Sequence, residues 1–174
     1  MTPPEFSRLQ RRDTIGSTEH TVSISATEAE RAALAKRFGL IGLNSLEATL
    51  RIRTEAAGIV ARGTVSAAVV QACSVTDEPL KVAVNEDIAV RFIEEDAVNE
   101  EEIELSEDAL DTMFYSGGGI DLGEAAAETV ALAIDPFLRG PNAARVLKAA
   151  GVISEDEAKP AGALAGLRDL LGKG

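Results

Sequence analysis

The chain has 174 residues, 45% of them hydrophobic, with five Phe, one Tyr and no Trp, which fits one ordinary domain plus a tail, its core built from Val, Ile, Leu and Ala. Its net charge of −12 argues against direct affinity for bulk nucleic acid, DNA included, because that affinity rests on Lys and Arg neutralising phosphates. No run approaches the ~20 apolar residues of a membrane span, and Met1-Thr2-Pro3-Pro4-Glu5-Phe6 lacks the regions of a secretory signal. A single cysteine fits a reducing compartment, so the expected location is the cytoplasm.

In chain order, Phe6 to Arg12 reads as a short strand or arm carrying Arg8, Arg11 and Arg12, and Val22 to Ser25 as a strand. Thr27 and Glu30 have the spacing of a capping box. A helix follows through Arg37, with acids in its first turn and Lys36 and Arg37 in its last, and Gly39 stops it. The period then changes. Leu46, Ala48, Leu50 and Ile52 alternate with Glu47, Thr49, Arg51 and Arg53, a half-buried strand. A loop containing Gly58 leads into a β-branched stretch from Ile59 to Ala72. Leu80, Val82, Val84, Ile88, Val90 and Phe92 form a third strand, or two strands broken near Asn85-Glu86-Asp87. Short connections between alternating strands indicate an antiparallel sheet with one wet face. The predicted class is α+β: an antiparallel sheet core, a capped helix after the N-terminal strands, and helices toward the C-terminus.

The charge is concentrated in one place. Residues 1–91 hold 11 acids and 11 bases, residues 92–138 hold 14 acids and no base, and residues 139–174 hold 4 acids and 6 bases. Nine of those acids fall in residues 94–108, which predicts a solvated or disordered insert over about 94–116. Ser116-Gly117-Gly118-Gly119 reads as a flexible linker closing it. Asp121 and Glu124 repeat the cap spacing and open a helix through Ile134, which Asp135-Pro136 ends. Asn142 is placed to cap a short helix ending at Gly151, and the residues after Pro160 form a weak amphipathic tail. The expected division is a β-rich domain over 1–138 and a helical tail over 139–174.

Little of this points to catalysis. Cys73 is the only thiol and His20 the only histidine, and nothing in the sequence brings them together as nucleophile and base. One Cys and one His cannot assemble a zinc site, and Glu100-Glu101-Glu102 lacks the spacing of a calcium loop, so a solvated charge run explains it. The glycines before Asp121 lack the Lys of a phosphate-binding loop, and Asp121 and Glu124 occupy the anion's place at the helix start. The expectation is a protein without catalytic residues, metal or other cofactor. Arg8, Arg11 and Arg12 are the candidate RNA-binding cluster, with Arg51 and Arg53 as sheet neighbours. The plainer reading is a solvated strand edge whose charges block edge-to-edge pairing.

Several motifs in this order resemble the YceD-like ribosomal RNA accumulation family. They are the Phe-Ser-Arg arm, the helix ending Arg37-Phe38-Gly39-Leu40, the turn Val70-Gln71-Ala72-Cys73 followed by Glu78-Pro79-Leu80, the helix start Gly119-Ile120-Asp121-Leu122-Gly123-Glu124, and the closing Leu164-Ala165-Gly166-Leu167. The resemblance implies a non-enzymatic role in accumulation or processing of large-subunit ribosomal RNA. It also implies a family-motif turn at Cys73, Thr76 and Pro79, where many relatives carry Cys-x-x-Cys with further cysteines after the late helix. Here Thr76 stands at the second position and residues 134–144 hold no cysteine, so the turn is expected to do without zinc. The expected partners are ribosomal RNA, through the arginine cluster, or a basic ribosomal protein, through Glu100, Glu101 and Glu102. The charge map favours the protein. The competing reading is an acidic adaptor for a basic partner unrelated to ribosomes.

Overall fold

The structure, a computed structural model, describes residues 4–95 and 110–152. Seven strands and three α-helices follow one another as β1 (Leu9–Arg11), β2 (His20–Ser25), α1 (Glu28–Arg37), β3 (Gly42–Glu55), β4 (Gly58–Ala72), β5 (Pro79–Glu94), β6 (Asp111–Tyr115), β7 (Gly119–Asp121), α2 (Leu122–Ala133) and α3 (Ala143–Ala149). The α+β class is as the sequence predicts.

The main sheet has the order β2-β3-β4-β5-β6. Its first four strands are antiparallel neighbours joined in sequence order, and β6 adds to β5 in parallel. A second, two-stranded sheet pairs β1 with β7. Strand β5 runs unbroken past Asn85-Glu86-Asp87, paired with β4 throughout. Two expectations are corrected here. The segment 111–115 is a strand, not part of a solvated insert: Thr112 to Tyr115 carry the side chains that favour a pleated, half-buried surface, and they pair with β5 over Arg91 to Glu94. The glycines are a tight turn rather than a linker. Gly117 and Gly118 have φ of +78° and +84°, which only glycine adopts readily, and they set Gly119 to Asp121 against β1. The rest of the acidic stretch, residues 96–109, and the tail beyond 152 lie outside the described residues.

Alternation decides which side of the sheet is buried. Leu46, Ala48, Leu50 and Ile52 of β3, Ala61, Val65 and Val69 of β4, and Val84, Ile88, Val90 and Phe92 of β5 all face inward. They form one core with Leu34 and Ala35 of α1 and with Leu122, Ala125, Ala126 and Val130 of α2. Helix α1 packs on β3, and α2 packs on β5 and β4. The small side chains of Ala125, Ala126 and Ala127 let α2 lie close to the strands.

Both longer helices start as the sequence predicts. Thr27 Oγ1 accepts from the Glu30 N–H while the Glu30 carboxylate accepts from the Thr27 N–H at 2.7 Å, a complete capping box. Asp121 Oδ1 accepts from the N–H groups of Gly123 (2.9 Å) and Glu124 (3.3 Å). Helix α3 differs. Asn142 precedes it in αR conformation without a capping side-chain hydrogen bond, its Nδ2 donating to Glu78. No helix among the described residues is long and apolar enough to cross a membrane.

Candidate functional site

The N-terminal arm is fastened internally. Arg8 forms a forked pair with Glu30, Nη1 to Oε1 at 2.7 Å and Nη2 to Oε2 at 2.9 Å, and also donates to the carbonyls of Ser7 and Ser25. Its guanidinium lies 4.6 Å from the centre of the Phe6 ring, and Phe6 is fully buried. The forked hydrogen bonds from Arg8 hold the Glu30 carboxyl down at about 2. Arg11 pairs with Asp13, and Arg12 Nη1 meets Glu94 Oε2 at 2.5 Å. Each arginine of the arm is thus engaged by an acid of this chain, whereas an RNA contact would need those guanidinium groups turned toward phosphates.

The turn between β4 and β5 is held to the segment after α2. Cys73 is enclosed without exposed surface, and its Sγ accepts from the Gly140 N–H at 3.2 Å. Ser74 donates through its N–H to Leu138 O at 2.9 Å and through its hydroxyl to Phe137 O at 3.2 Å. Gln71 donates to Asp135 O. Glu78 accepts from the Asn142 amide at 3.0 and 3.2 Å and from the Thr76 hydroxyl at 3.0 Å. The turn is closed by the Asp77 N–H on Cys73 O and the Cys73 N–H on Glu78 O, and Pro79 opens β5 opposite Ala72. Donation by the Gly140 N–H, with the Thr76 side chain and the N–H groups of Val75 and Thr76 close by, brings the Cys73 thiol down to about 7.

The outer face of the sheet, opposite the helices, carries four further arginines, Arg51, Arg53, Arg62 and Arg91. Register places Thr21, Arg51, Arg62 and Ala89 in one row across β2 to β5, and Arg53, Val60 and Arg91 in the next. Arg51 and Arg62 are therefore direct cross-strand neighbours of like charge. Arg51 reaches Glu19 only at 3.7 Å, Arg53 is paired with Glu55 at 2.6 Å, and Arg62 has no acid in pairing distance among the described residues. Arg51, Arg53, Arg62, Val60 and Glu19 enclose a cavity of about 140 Å³. Beside it lies a shallower depression of about 600 Å³ lined by Thr21, Thr49, Thr64 and Asp87 together with Arg51 and Arg62. On β6, Phe114 pairs with Ile93 two residues beyond the Arg91 row and is 54% exposed. Glu100, Glu101 and Glu102 lie outside the described residues.

Residues 61–171 match the family described as large ribosomal RNA subunit accumulation protein YceD. The chain belongs to this family. The YceD match begins at Ala61 in β4 and takes in the turn, β5 to β7, α2 and α3. No curated protein and no solved structure matches the chain.

Cysteine-rich members of the YceD family, as the resemblance has them, carry thiols on the two segments that meet here, the turn and the residues after α2. The groups present do not fit zinc. Thr76 and Asn142 both donate to Glu78, and Gly140 offers Cys73 an N–H, which can donate to sulfur but cannot ligate a metal. Among the described residues no three His, Cys, Asp or Glu side chains come together to hold one. Hydrogen bonds make the junction that four thiolates and a metal can make elsewhere.

Replacing Cys73 tests this junction. Cys73→Ser shortens the acceptor's reach toward Gly140 without removing it, so the fold should persist with a melting temperature lower by about 2–4 °C. The folded thiol titrates below its ordinary range, so the folded state gives up its proton first as pH rises. Its contribution is fully present above the unfolded pKa and is lost as pH falls through about 7. Urea unfolding at pH 6 and pH 9 should therefore show wild type gaining stability over Cys73→Ser at the higher pH. Parallel pH dependence of the two proteins would defeat this account.

The sequence reading passed over Arg62 and Phe114. Arg51 and Arg53 share a face by alternation alone. Arg62 joins them once the β3–β4 hairpin is closed at residues 56 and 57, since Glu55 then pairs with Gly58 and the register carries Arg51 to Arg62. Phe114 was hidden because its strand follows directly on the acidic run.

Proposed function

We propose that this chain is a non-enzymatic binding module of the cytoplasm that supports accumulation of large-subunit ribosomal RNA by holding a component of the maturing particle. The single observation that carries the reading is the family match over residues 61–171. The architecture supports it: a sheet braced by two helices on one side leaves the other side for contact, and the junction at Cys73 and Glu78 ties the C-terminal segment to that sheet. A second reading, in which the component is a basic ribosomal protein, is favoured by the 14 acids and absence of bases over residues 92–138.

Tagged protein purified from its own cells at low salt, with RNAs and proteins both identified, tests this function. Large-subunit precursor particles should co-purify and co-sediment with it, and depletion should lower the ratio of large- to small-subunit ribosomal RNA. Unchanged ribosomal RNA on depletion, with no sedimentation beyond the free protein, would refute it.

A further inference from the structure

We propose that the outer face of the main sheet is a binding surface for single-stranded RNA, with Arg51 and Arg62 holding backbone phosphates and Phe114 stacking a base. The inference takes the RNA itself as the partner in the function proposed above.

The first support is a pairing the fold does not need. Like charges directly opposite across two strands are destabilising, yet Arg51 stands opposite Arg62 within the β3–β4 hairpin. Four arginines elsewhere have acids close by, Glu30 for Arg8, Asp13 for Arg11, Glu94 for Arg12 and Glu124 for Arg37, and Arg31 donates to the Ala26 carbonyl. On the outer face Arg53 has Glu55 at 2.6 Å, but Arg51 reaches Glu19 only at 3.7 Å and Arg62 has no acid in pairing distance among the described residues. A dianionic or polyanionic ligand between them would turn the repulsion into two charge-assisted forks, the geometry that guanidinium and phosphate share.

The surroundings suit a nucleic-acid strand better than a free anion. The cavity among Arg51, Arg53, Arg62 and Glu19 opens beside a depression lined by Thr21, Thr49, Thr64 and Asp87, where the threonine hydroxyls can bond further phosphate or sugar oxygens. Phe114 lies on β6, three strands from Arg53, or roughly 14 Å at the usual strand spacing. That separation calls for an extended ligand with a flat apolar group at some distance from its charge. Aromatic platforms beside basic rows are how sheets hold unstacked bases without strong sequence preference. The overall charge of −12 opposes binding at long range, but that field is screened beyond ~8 Å in physiological salt, so the local arginines govern contact.

Fluorescence anisotropy with a labelled, unstructured RNA 12-mer in 50 mM salt is the test, with heparin as a polyanion that has no bases. Wild type should bind the RNA. Arg51→Ala/Arg62→Ala should weaken it at least tenfold and lower the slope of log affinity against log salt by about 1.4, at ~0.7 per lost phosphate contact on a single strand. The double variant should melt at or above the wild-type temperature, because a like-charge pair has been removed. Phe114→Ala should weaken RNA several-fold and leave heparin unchanged, and Arg11→Ala, on the arm, should change neither. Absence of RNA binding by wild type, or equal binding by the folded double variant, would overturn the proposal. So would capture by the wild type of a basic ribosomal protein that still binds the double variant, with no RNA bound. Binding by the purified chain is read independently of depletion in cells, so either conclusion can fail alone.

Discussion

Gly63→Ala is expected to abolish stable folding. A Cβ at this position would lie 1.9 Å from the carbonyl oxygen of Thr49 and 2.9 Å from the Leu50 Cα. Both are backbone atoms of β3, the neighbouring strand, so no side chain can rotate away. Relief requires β3 and β4 to separate where Thr49 pairs with Thr64 and Leu50 with Gly63, and Leu50 is fully buried. Breaking the central pairing and opening the core beneath it should cost more than about 4 kcal/mol, a large part of the 5–15 kcal/mol typical of a domain. The expected result is insoluble protein, or soluble protein with no cooperative urea transition by circular dichroism. Gly42→Ala is the control: its Cβ would meet only the Val70 side chain at 3.9 Å, an ordinary contact, and it should unfold with the wild type. A Gly63→Ala midpoint within about 0.5 M urea of wild type would show that the strands yield far more readily than their register implies.

What the sequence made legible was what short-range chemistry determines. The capping box at Thr27 and Glu30, the alternation from Leu46 to Ile52 and the Asp121 cap each depend on residues within a few positions of one another, and each is found where the pattern puts it. Strand β6 escaped because its five residues follow the acid-rich run directly. Its parallel pairing also depends on β5, some twenty residues earlier, which no local pattern encodes. The fate of the arm's arginines was illegible for the same reason: Arg8 and Glu30 are 22 residues apart and Arg12 and Glu94 are 82 apart. A cluster of positive residues in sequence is available to phosphate only if no acids engage it; Asp13 lies two residues from Arg11, and the fold brings acids to Arg8 and Arg12. The outer-face arginines show the converse. Arg51 and Arg53 share a face by alternation and read as sheet neighbours, but Arg62 joins them only through the hairpin register, which local charge counts do not encode. Asn142 misled in a smaller way, since its Nδ2 donates to the Glu78 carboxylate 64 residues away, and its side chain makes no cap bond to α3.

Asp121→Ala should release the N-terminal arm and lower the melting temperature by about 5–10 °C. One carboxylate serves four donors. Its Oδ1 accepts from the N–H groups of Arg8 at 2.7 Å, Gly123 at 2.9 Å and Glu124 at 3.3 Å, and its Oδ2 accepts from the Ser7 hydroxyl at 2.5 Å. Two of these bonds cap α2, worth about 0.5–2 kcal/mol. The other two pin the arm beside β7, and leaving partly buried donors unsatisfied costs about 1–3 kcal/mol. The effects couple, because the arm carries Phe6 into the core and Arg8 to Glu30, while α2 carries Glu124 to Arg37. The loss should therefore appear in two places. Global unfolding shifts, and trypsin, which cuts after arginine, should reach Arg8, Arg11 and Arg12 well before it cuts within β3 to β5. Asp121→Asn keeps one oxygen acceptor and should fall about midway. High salt should not reproduce the effect, since most of the lost bonds are to backbone N–H groups rather than to charges that ions can screen. If Asp121→Ala is cut by trypsin at the wild-type rate and melts with the wild type, the arm is held by Phe6 and Arg8 alone, and the carboxylate does no more than mark the start of the helix.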